Sequence, residues 1–346
     1  MNLGSEKDVG VENSVLFVKQ FDQSGNACAI IHPDNSASIF DWGVFDTDSF
    51  PEFLDEFGIQ RVRFIMATHS HSDHTAALPD AIRVLLQREI KMDMFIYPSM
   101  HFPNKDTNHL FEAAILAKNN GIQVQTVHVS DFNTSSPARP IQIADSPDKW
   151  ELVVLAPPGT MNTREEIIGN EKGRNPGNPT SIVTLYRPLD EGATGGRALL
   201  PGDSTKAALK FAKSHEKHFP EYSLENDVIV VPHHGSKNNW PAWLTEYCNR
   251  YLIISCGSQR EALPAASTLV DLTKHCASGG NQRTLHCTSY SASCRKQFAG
   301  GSKDQKLVSP GPCFGSMLVE LAPTGAIMIR SDSNGEKRRQ FGYCGQ

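Results

Sequence analysis

Apolar residues along this chain come in short runs of strand length, separated by clusters of turn-forming residues. Residues 14–21, 27–32 and 37–41 read as three strands joined by the turns 22–26 and 33–35, a meander. A short helix over 51–57 and an apolar strand over 61–67 follow. A polar, histidine-rich turn then leads to a helix that Pro79 and Asp80 open and that ends near residue 88. Strands at 94–97 and 123–128 bracket a helix over 108–119, which stops at Asn119-Asn120-Gly121. Beyond a strand at 151–156, the polar stretch 159–178, rich in Gly, Asn and Pro, predicts a long surface loop before strand 181–186; its position predicts that it covers the site described below. In the second half, strands 197–200, 227–231, 251–255 and 283–285 alternate with helices 205–214, 240–247 and 266–275. Strands 316–321 and 326–329 close the pattern. This alternation predicts an α/β protein with two sheets between helices. No composition break marks a linker, so residues 1–346 read as one domain.

Composition narrows the picture only a little. The chain has 346 residues, 33 Lys plus Arg against 38 Asp plus Glu, and 39% apolar residues, which excludes disordered and collagen-like classes. Its formal charge of -5 supplies no long-range attraction for phosphates, so a polyanionic substrate would need local cations or metal ions. The longest apolar runs, such as 251–256, are far shorter than the roughly 18 residues of a membrane span. The polar start shows no secretion signal, so a cytoplasmic location is expected, with reduced thiols or metal ligands rather than a disulfide framework among the eight cysteines.

The chemistry concentrates in Thr68-His69-Ser70-His71-Ser72-Asp73-His74, at the C-terminal end of a strand. Three imidazoles and a carboxylate so close together are costly to leave unpaired, and they are ligand types for zinc, manganese or iron. The alternation lets His69 and His71 face one ion while Asp73 and His74 reach a second.

Several motifs, in order, resemble the metallo-β-lactamase fold superfamily, and within it the competence-protein (ComEC-like) hydrolase domain. They are Phe40-Asp41-Trp42-Gly43, the histidine-rich turn, Leu199-Leu200-Pro201-Gly202-Asp203-Ser204, and Val230-Val231-Pro232-His233-His234-Gly235-Ser236. The resemblance implies a four-layer αββα sandwich, α/β in class (α+β in some schemes), and two divalent ions, zinc or manganese. His69, His71, Asp73, His74, Asp203 and His233 are the metal ligands it implies. Asp41 would support them from behind, and Asn178, Ser181 and Lys237 would contact ligands or substrate. Asp73 and Asp203 would orient the attacking water, and one of His233 and His234 would protonate the leaving oxygen while the other packs. Taken singly, Asp203 could also cap a helix, Lys237 could be a plain surface lysine, and Asn178 a plain loop residue.

Two departures stand beside the matches. No histidine lies near 177–181, where many relatives place one, and none lies in 257–267, where a late histidine often completes the second ion's shell; His286 is a candidate substitute. In the C-terminal portion, about 276–346, Cys287, Cys294, Cys313 and Cys344 could bind a structural zinc or be unconnected thiols, with Cys276 and His286 as substitutes. The expected function is a metal-dependent hydrolase acting on phosphodiesters of nucleic acid or a nucleotide. The alternatives are a carbonyl-directed hydrolase, such as a lactonase or thioesterase, and a catalytically weakened subunit of a larger complex with a protein partner.

Overall fold

The computed structural model describes residues 13–19, 26–43, 48–99, 108–128, 139–146, 149–156, 181–189, 195–256, 263–278, 283–288 and 316–331. One sheet holds β1 (Ser14–Val18), β2 (Cys28–Ile31), β3 (Ser36–Phe40), β4 (Arg61–Met66), β5 (Lys91–Pro98), β6 (Gln123–Val127), β14 (Met317–Ala322) and β15 (Gly325–Ser331), in the order β15-β14-β1-β2-β3-β4-β5-β6. The other holds β7 (Ile141–Ser146), β8 (Trp150–Ala156), β9 (Val183–Pro188), β10 (Ala198–Leu200), β11 (Asn226–Val230), β12 (Cys248–Ile254) and β13 (Thr284–Cys287), in the order β13-β12-β11-β10-β9-β8-β7.

Strand periodicity divides the core into three layers. Val228 and Val230 of β11 point to a cluster shared by both sheets, with Phe64 and Met66 of β4, whereas Ile229 and Val231 point outward. On the outer face of the first sheet, α1 (Ser49–Glu56), α3 (Leu78–Gln87) and α4 (Asn108–Asn119) bury Phe53, Ile82 and Leu110. On the outer face of the second, α5 (Lys206–Ser214) and α6 (Ala266–Ser278) bury Leu209 and Leu272. Each such side chain contributes on the order of 2 kcal/mol by leaving water. Helix, sheet, sheet and helix thus stack as four layers, the α/β arrangement expected.

Both sheets change from antiparallel to parallel partway across. In the first, β2 runs antiparallel to β3 and β3 parallel to β4; in the second, β9 runs antiparallel to β10 and β10 parallel to β11. The C-terminal ends of β3 and β4, and of β10 and β11, therefore emerge side by side, and all four chemistry-bearing motifs leave from them. Open α/β sheets place ligands at such changes of strand order because neighbouring loops diverge there.

Several elements differ from expectation, the short 3-10 turns His215–Lys217, Pro220–Tyr222 and Pro232–Gly235 among them. The helix expected over 240–247 is a 3-10 helix, Ala242–Tyr247, where the Thr245 hydroxyl donates to the Ala242 carbonyl and competes with α-helical pairing. Strand β7, which pairs with β8, was not expected. Its alternation of Ile141 and Ile143 with polar residues makes only a half-buried sheet edge. A single helical turn, α2 (Ser72–Thr75), lies inside the histidine-rich turn.

Candidate metal centre

Asp41 follows β3 with φ of 60°, its backbone N–H donating to the Met66 carbonyl across the parallel pair. That twist aims the carboxylate at the histidine-rich turn. Oδ1 accepts the Thr68 backbone N–H at 2.7 Å, and Oδ2 accepts the Thr68 hydroxyl at 2.8 Å and His74 Nδ1 at 2.7 Å. Because the Thr68 hydroxyl gives its proton to Asp41, its lone pair faces His69 Nδ1, 3.1 Å away. One buried carboxylate thereby sets the ring orientation of two histidines, one directly and one through a hydroxyl. Gly43 allows the approach, since a side chain there would collide with the Asp73 carbonyl.

Asp203 reaches the same space from β10. The turn passes through Gly202 at φ of 53°, where an added Cβ would lie 2.7 Å from Ser181 Oγ and 2.8 Å from Thr68 Oγ1. Ser181 Oγ accepts the Asp203 backbone N–H at 3.0 Å, and Asn239 Nδ2 donates to the carbonyls of Asp203 and Ser204, both at 3.0 Å. Ser181 thus supports Asp203 from behind. The helix cap is instead Thr205, whose side chain accepts the Ala208 N–H, so the Asp203 carboxylate is not spent on capping.

Around Asp203 the donors fall into two groups: His69, His71 and Asp203, and Asp73, His74 and His234. Within each group the donor atoms lie within 4.8 Å of one another. Asp203 faces both. Its Oδ2 is 3.7 Å from His69 Nε2, and its Oδ1 is 3.2 Å from His74 Nε2 and 3.9 Å from His234 Nε2. His69 Nε2, His74 Nε2, His234 Nε2 and Asp203 Oδ1 are buried, and apart from the His74–Asp203 ion pair none has a hydrogen-bond partner among the described residues. Buried polar atoms are otherwise almost always paired. Four of them converging with vacant lone pairs on one space fit divalent cations, and two imidazoles with a carboxylate in each group suit zinc or manganese.

The electrostatics agree with a cation-seeking site. Burial would raise the Asp203 carboxyl, but the His74, His233 and His234 charges hold it well below the usual carboxylate range. Burial pushes His69 and His234 down towards the neutral, ligating form, against the pull of Asp203. Burial would lower His74 as well; Asp203 and Asp41 outweigh it and raise it to about 10 when no cation is present.

The His-His pair divides its work differently from expectation. His234, expected to be the alternative to His233, is the one in a ligand group, with Nε2 3.4 Å from Asp73 Oδ2 and Nδ1 donating to the Ser255 carbonyl at 2.6 Å. His233, expected as a ligand, belongs to neither group; it stands at the opening, 23% exposed, with Nε2 3.5 Å from Asp203 Oδ2. Both residues have φ near 50°, so the strand alternation that would aim them oppositely does not continue through them. His234 stands in the loop after β11, its Nε2 facing Asp73 and Asp203.

Of the remaining expected residues, Lys237 is exposed in the next loop. His286, on β13, accepts or donates to the Thr284 hydroxyl and joins neither group. Cys287 and Cys276 are buried in the apolar cluster under the second sheet, and among the described residues no ligand group contains a cysteine. Asn178, Cys294, Cys313, Cys344 and the 159–178 loop lie outside the described residues. Sequence reasoning missed Thr68, whose only signal is adjacency to the histidines, and Asn239 and the Ser255 carbonyl, for which the sequence carries no signal.

Neither a scan of family profiles nor a sequence search of curated proteins finds a match. Among solved structures, the chain is similar to a diphosphatase from the PhnP family (14% identity, TM-score 0.39, covering 79% of this chain and 94% of that one). It is also similar to the metallo-β-lactamase fold protein YhfI from Bacillus subtilis (9%, 0.40, 70% and 86%) and to an isothiocyanate hydrolase from Delia radicum gut bacteria (10%, 0.40, 78% and 95%). At such TM-scores these likenesses are too slight to argue from. Among the described residues no helix is long and apolar enough to cross a membrane.

Proposed function

We propose that this chain is a metal-dependent hydrolase that holds two divalent ions, zinc or manganese, and cleaves phosphodiester bonds in nucleic acid or a nucleotide. The observation that carries the reading is Asp203, whose two carboxylate oxygens face two separate donor groups of buried, unsatisfied atoms. When bound, such ions lower the pKa of water and stabilise negative charge that builds on the substrate oxygen. Asp203, held by Ser181 and Asn239, fixes the spacing between the groups. Asp73, with a side chain 17% exposed, lies towards the opening and orients the attacking water by accepting its hydrogen bond. His233 is partly exposed at the opening, with Nε2 3.5 Å from Asp203 Oδ2, and is the imidazole placed to protonate the leaving oxygen. His234 is unsuited to that task, because its Nδ1 is committed to Ser255 and its Nε2 faces the donors. The choice of phosphorus over a carbonyl carbon rests on the resemblance of the His233-His234-Gly235-Ser236 motif to the competence group.

The test is hydrolysis of phosphodiester, thioester and lactone substrates with added manganese or zinc. Phosphodiester turnover that disappears in His69→Ala and Asp203→Ala supports the reading. Turnover of thioesters or lactones alone, or phosphodiester turnover that survives Asp203→Ala, contradicts it.

A further inference from the structure

We infer that the exposed face of α5 is a track for the phosphate backbone of single-stranded nucleic acid leading to the candidate centre; this rests on the phosphodiesterase reading above. Lys206, Lys210 and Lys213 recur at i, i+4 and i+7 along α5, and Lys217 continues the row in the 3-10 turn that follows, His215–Lys217. At 3.6 residues per turn these positions fall on one stripe, with about 6 Å between lysines four apart and a span of roughly 16 Å. The stripe begins three residues after Asp203. Lys206, Lys210 and Lys217 are exposed, and the helix contains no acidic residue.

The stripe does not arise from local stability. A lysine in the first turn opposes the helix dipole, and lysines four apart repel each other. Several arginines elsewhere on the surface are spent internally: Arg61 pairs with Asp93, Arg63 with Asp34, Arg83 with Asp80 and Arg88 with Asp55. None of the ion pairs among the described residues uses Lys206, Lys210 or Lys217. Lys213 is held with its ammonium 4.7 Å from the Trp243 ring and 4.8 Å from the Tyr247 ring, which stiffens the middle of the row without neutralising it. Of the acidic residues near Lys213, Glu216 is engaged by the Ser223 hydroxyl and the Leu224 N–H, and Glu246 lies on the 3-10 helix Ala242–Tyr247. A row of positive charges that enters no ion pair among the described residues, on a chain of net charge -5, complements a polyanion.

Single-stranded rather than duplex nucleic acid follows from two features. The row is one lysine wide, which serves one backbone. The donor groups are buried apart from the partly exposed His71 and Asp73, so the scissile phosphate must be fed into a recess that a flexible strand reaches and a stiff duplex does not.

The experiment measures binding of a labelled oligothymidylate by fluorescence anisotropy across a range of salt, for the full chain and for K206E/K210E/K217E. A control, K91E/K118E/K149E, makes the same charge change at exposed positions on other elements. The stripe variant is expected to bind at least about tenfold more weakly and to lose about 2 from the slope of log affinity against log salt, since each single-strand phosphate contact contributes about 0.7. The control retains the slope, and melting curves of both variants match the parent. Equal weakening in the two variants, an unchanged slope in the stripe variant, or tighter binding of duplex than of single strand overturns the inference. Hydrolysis of the small diester bis(p-nitrophenyl) phosphate separates the two claims. It persists in the stripe variant if only the track is lost, and its absence from the parent contradicts the phosphodiesterase reading while the binding data still decide the track.

Discussion

The two donor groups beside Asp203 are built from similar residues but are supported differently. Around Oδ1 stand Asp73, His74 and His234, with His74 clamped directly by Asp41 and His234 by the Ser255 carbonyl. With Asp203 Oδ1 3.2 Å from His74 Nε2 and 3.9 Å from His234 Nε2, four protein donors would be offered to an ion there. Around Oδ2 stand His69 and His71, with His233 Nε2 3.5 Å away at the opening and outside the group, and His69 is steered only through the Thr68 hydroxyl. That group offers three donors and leaves room for water or substrate. Closed, well-braced shells hold ions, and open shells do chemistry. The comparison therefore assigns tight retention to the Asp73–His74–His234 group and exchangeable, substrate-facing chemistry to the His69–His71–Asp203 group.

The largest test of this contrast separates the neighbouring histidines. His234→Gln is expected to lower the metal content from about two ions per chain to about one, measured by mass spectrometry. His233→Gln keeps both ions and instead removes one limb of the pH–rate profile. Metal loss in His233→Gln with retention in His234→Gln would reverse the two roles.

A smaller effect comes from the supporting residues. Asp41→Asn weakens ion binding about 10- to 100-fold, most at the braced group, because the amide cannot hold His74 Nδ1–H as a carboxylate does. Thr68→Val cuts the relay to His69 and one hydrogen bond to Asp41 Oδ2 but keeps the Asp41–His74 bond, so it weakens the open group about tenfold and the braced one less. Chelator competition monitored by metal release reads both. Equal effects of Thr68→Val on the two ions would erase the distinction.

The smallest effect is on the stability of the metal-free chain. His74 has a folded pKa of about 10, above its unfolded value of about 6.5, so its contribution is complete below about 6.5 and is lost as pH rises through about 10. His69 and His234 have depressed folded values, so their contributions are present above about 6.5 and are lost as pH falls. The melting temperature of metal-free protein is therefore expected to peak near neutrality. Its alkaline decline, which belongs to the braced group, flattens in Asp41→Asn. A decline of unchanged steepness in that variant would detach His74 from Asp41.

Much of this centre was legible in the sequence because its donors follow strand ends in short, dense motifs. His69, His71, Asp73, His74 and Asp203 were all candidates, and the split of the first four between two groups followed from their spacing. The roles within His233-His234 were not legible. Consecutive left-handed residues break the alternation from which side-chain direction is read, and the partner of His234 is a main-chain carbonyl. Asn239 escaped notice because a loop asparagine that bonds two carbonyls looks like any other in sequence. In the fold, the strands and the long helices followed their periodicity, while β7 and the 3-10 helix did not, because an edge strand and a helix with a competing threonine carry weak patterns.

The most direct measurement is anomalous X-ray scattering from crystals of the chain grown with manganese or zinc. The account predicts two peaks, one on each side of the Asp203 carboxylate, with the peak beside Asp73, His74 and His234 surviving brief chelation. A single peak, peaks away from Asp203, or preferential loss of the ion beside His234 would contradict it.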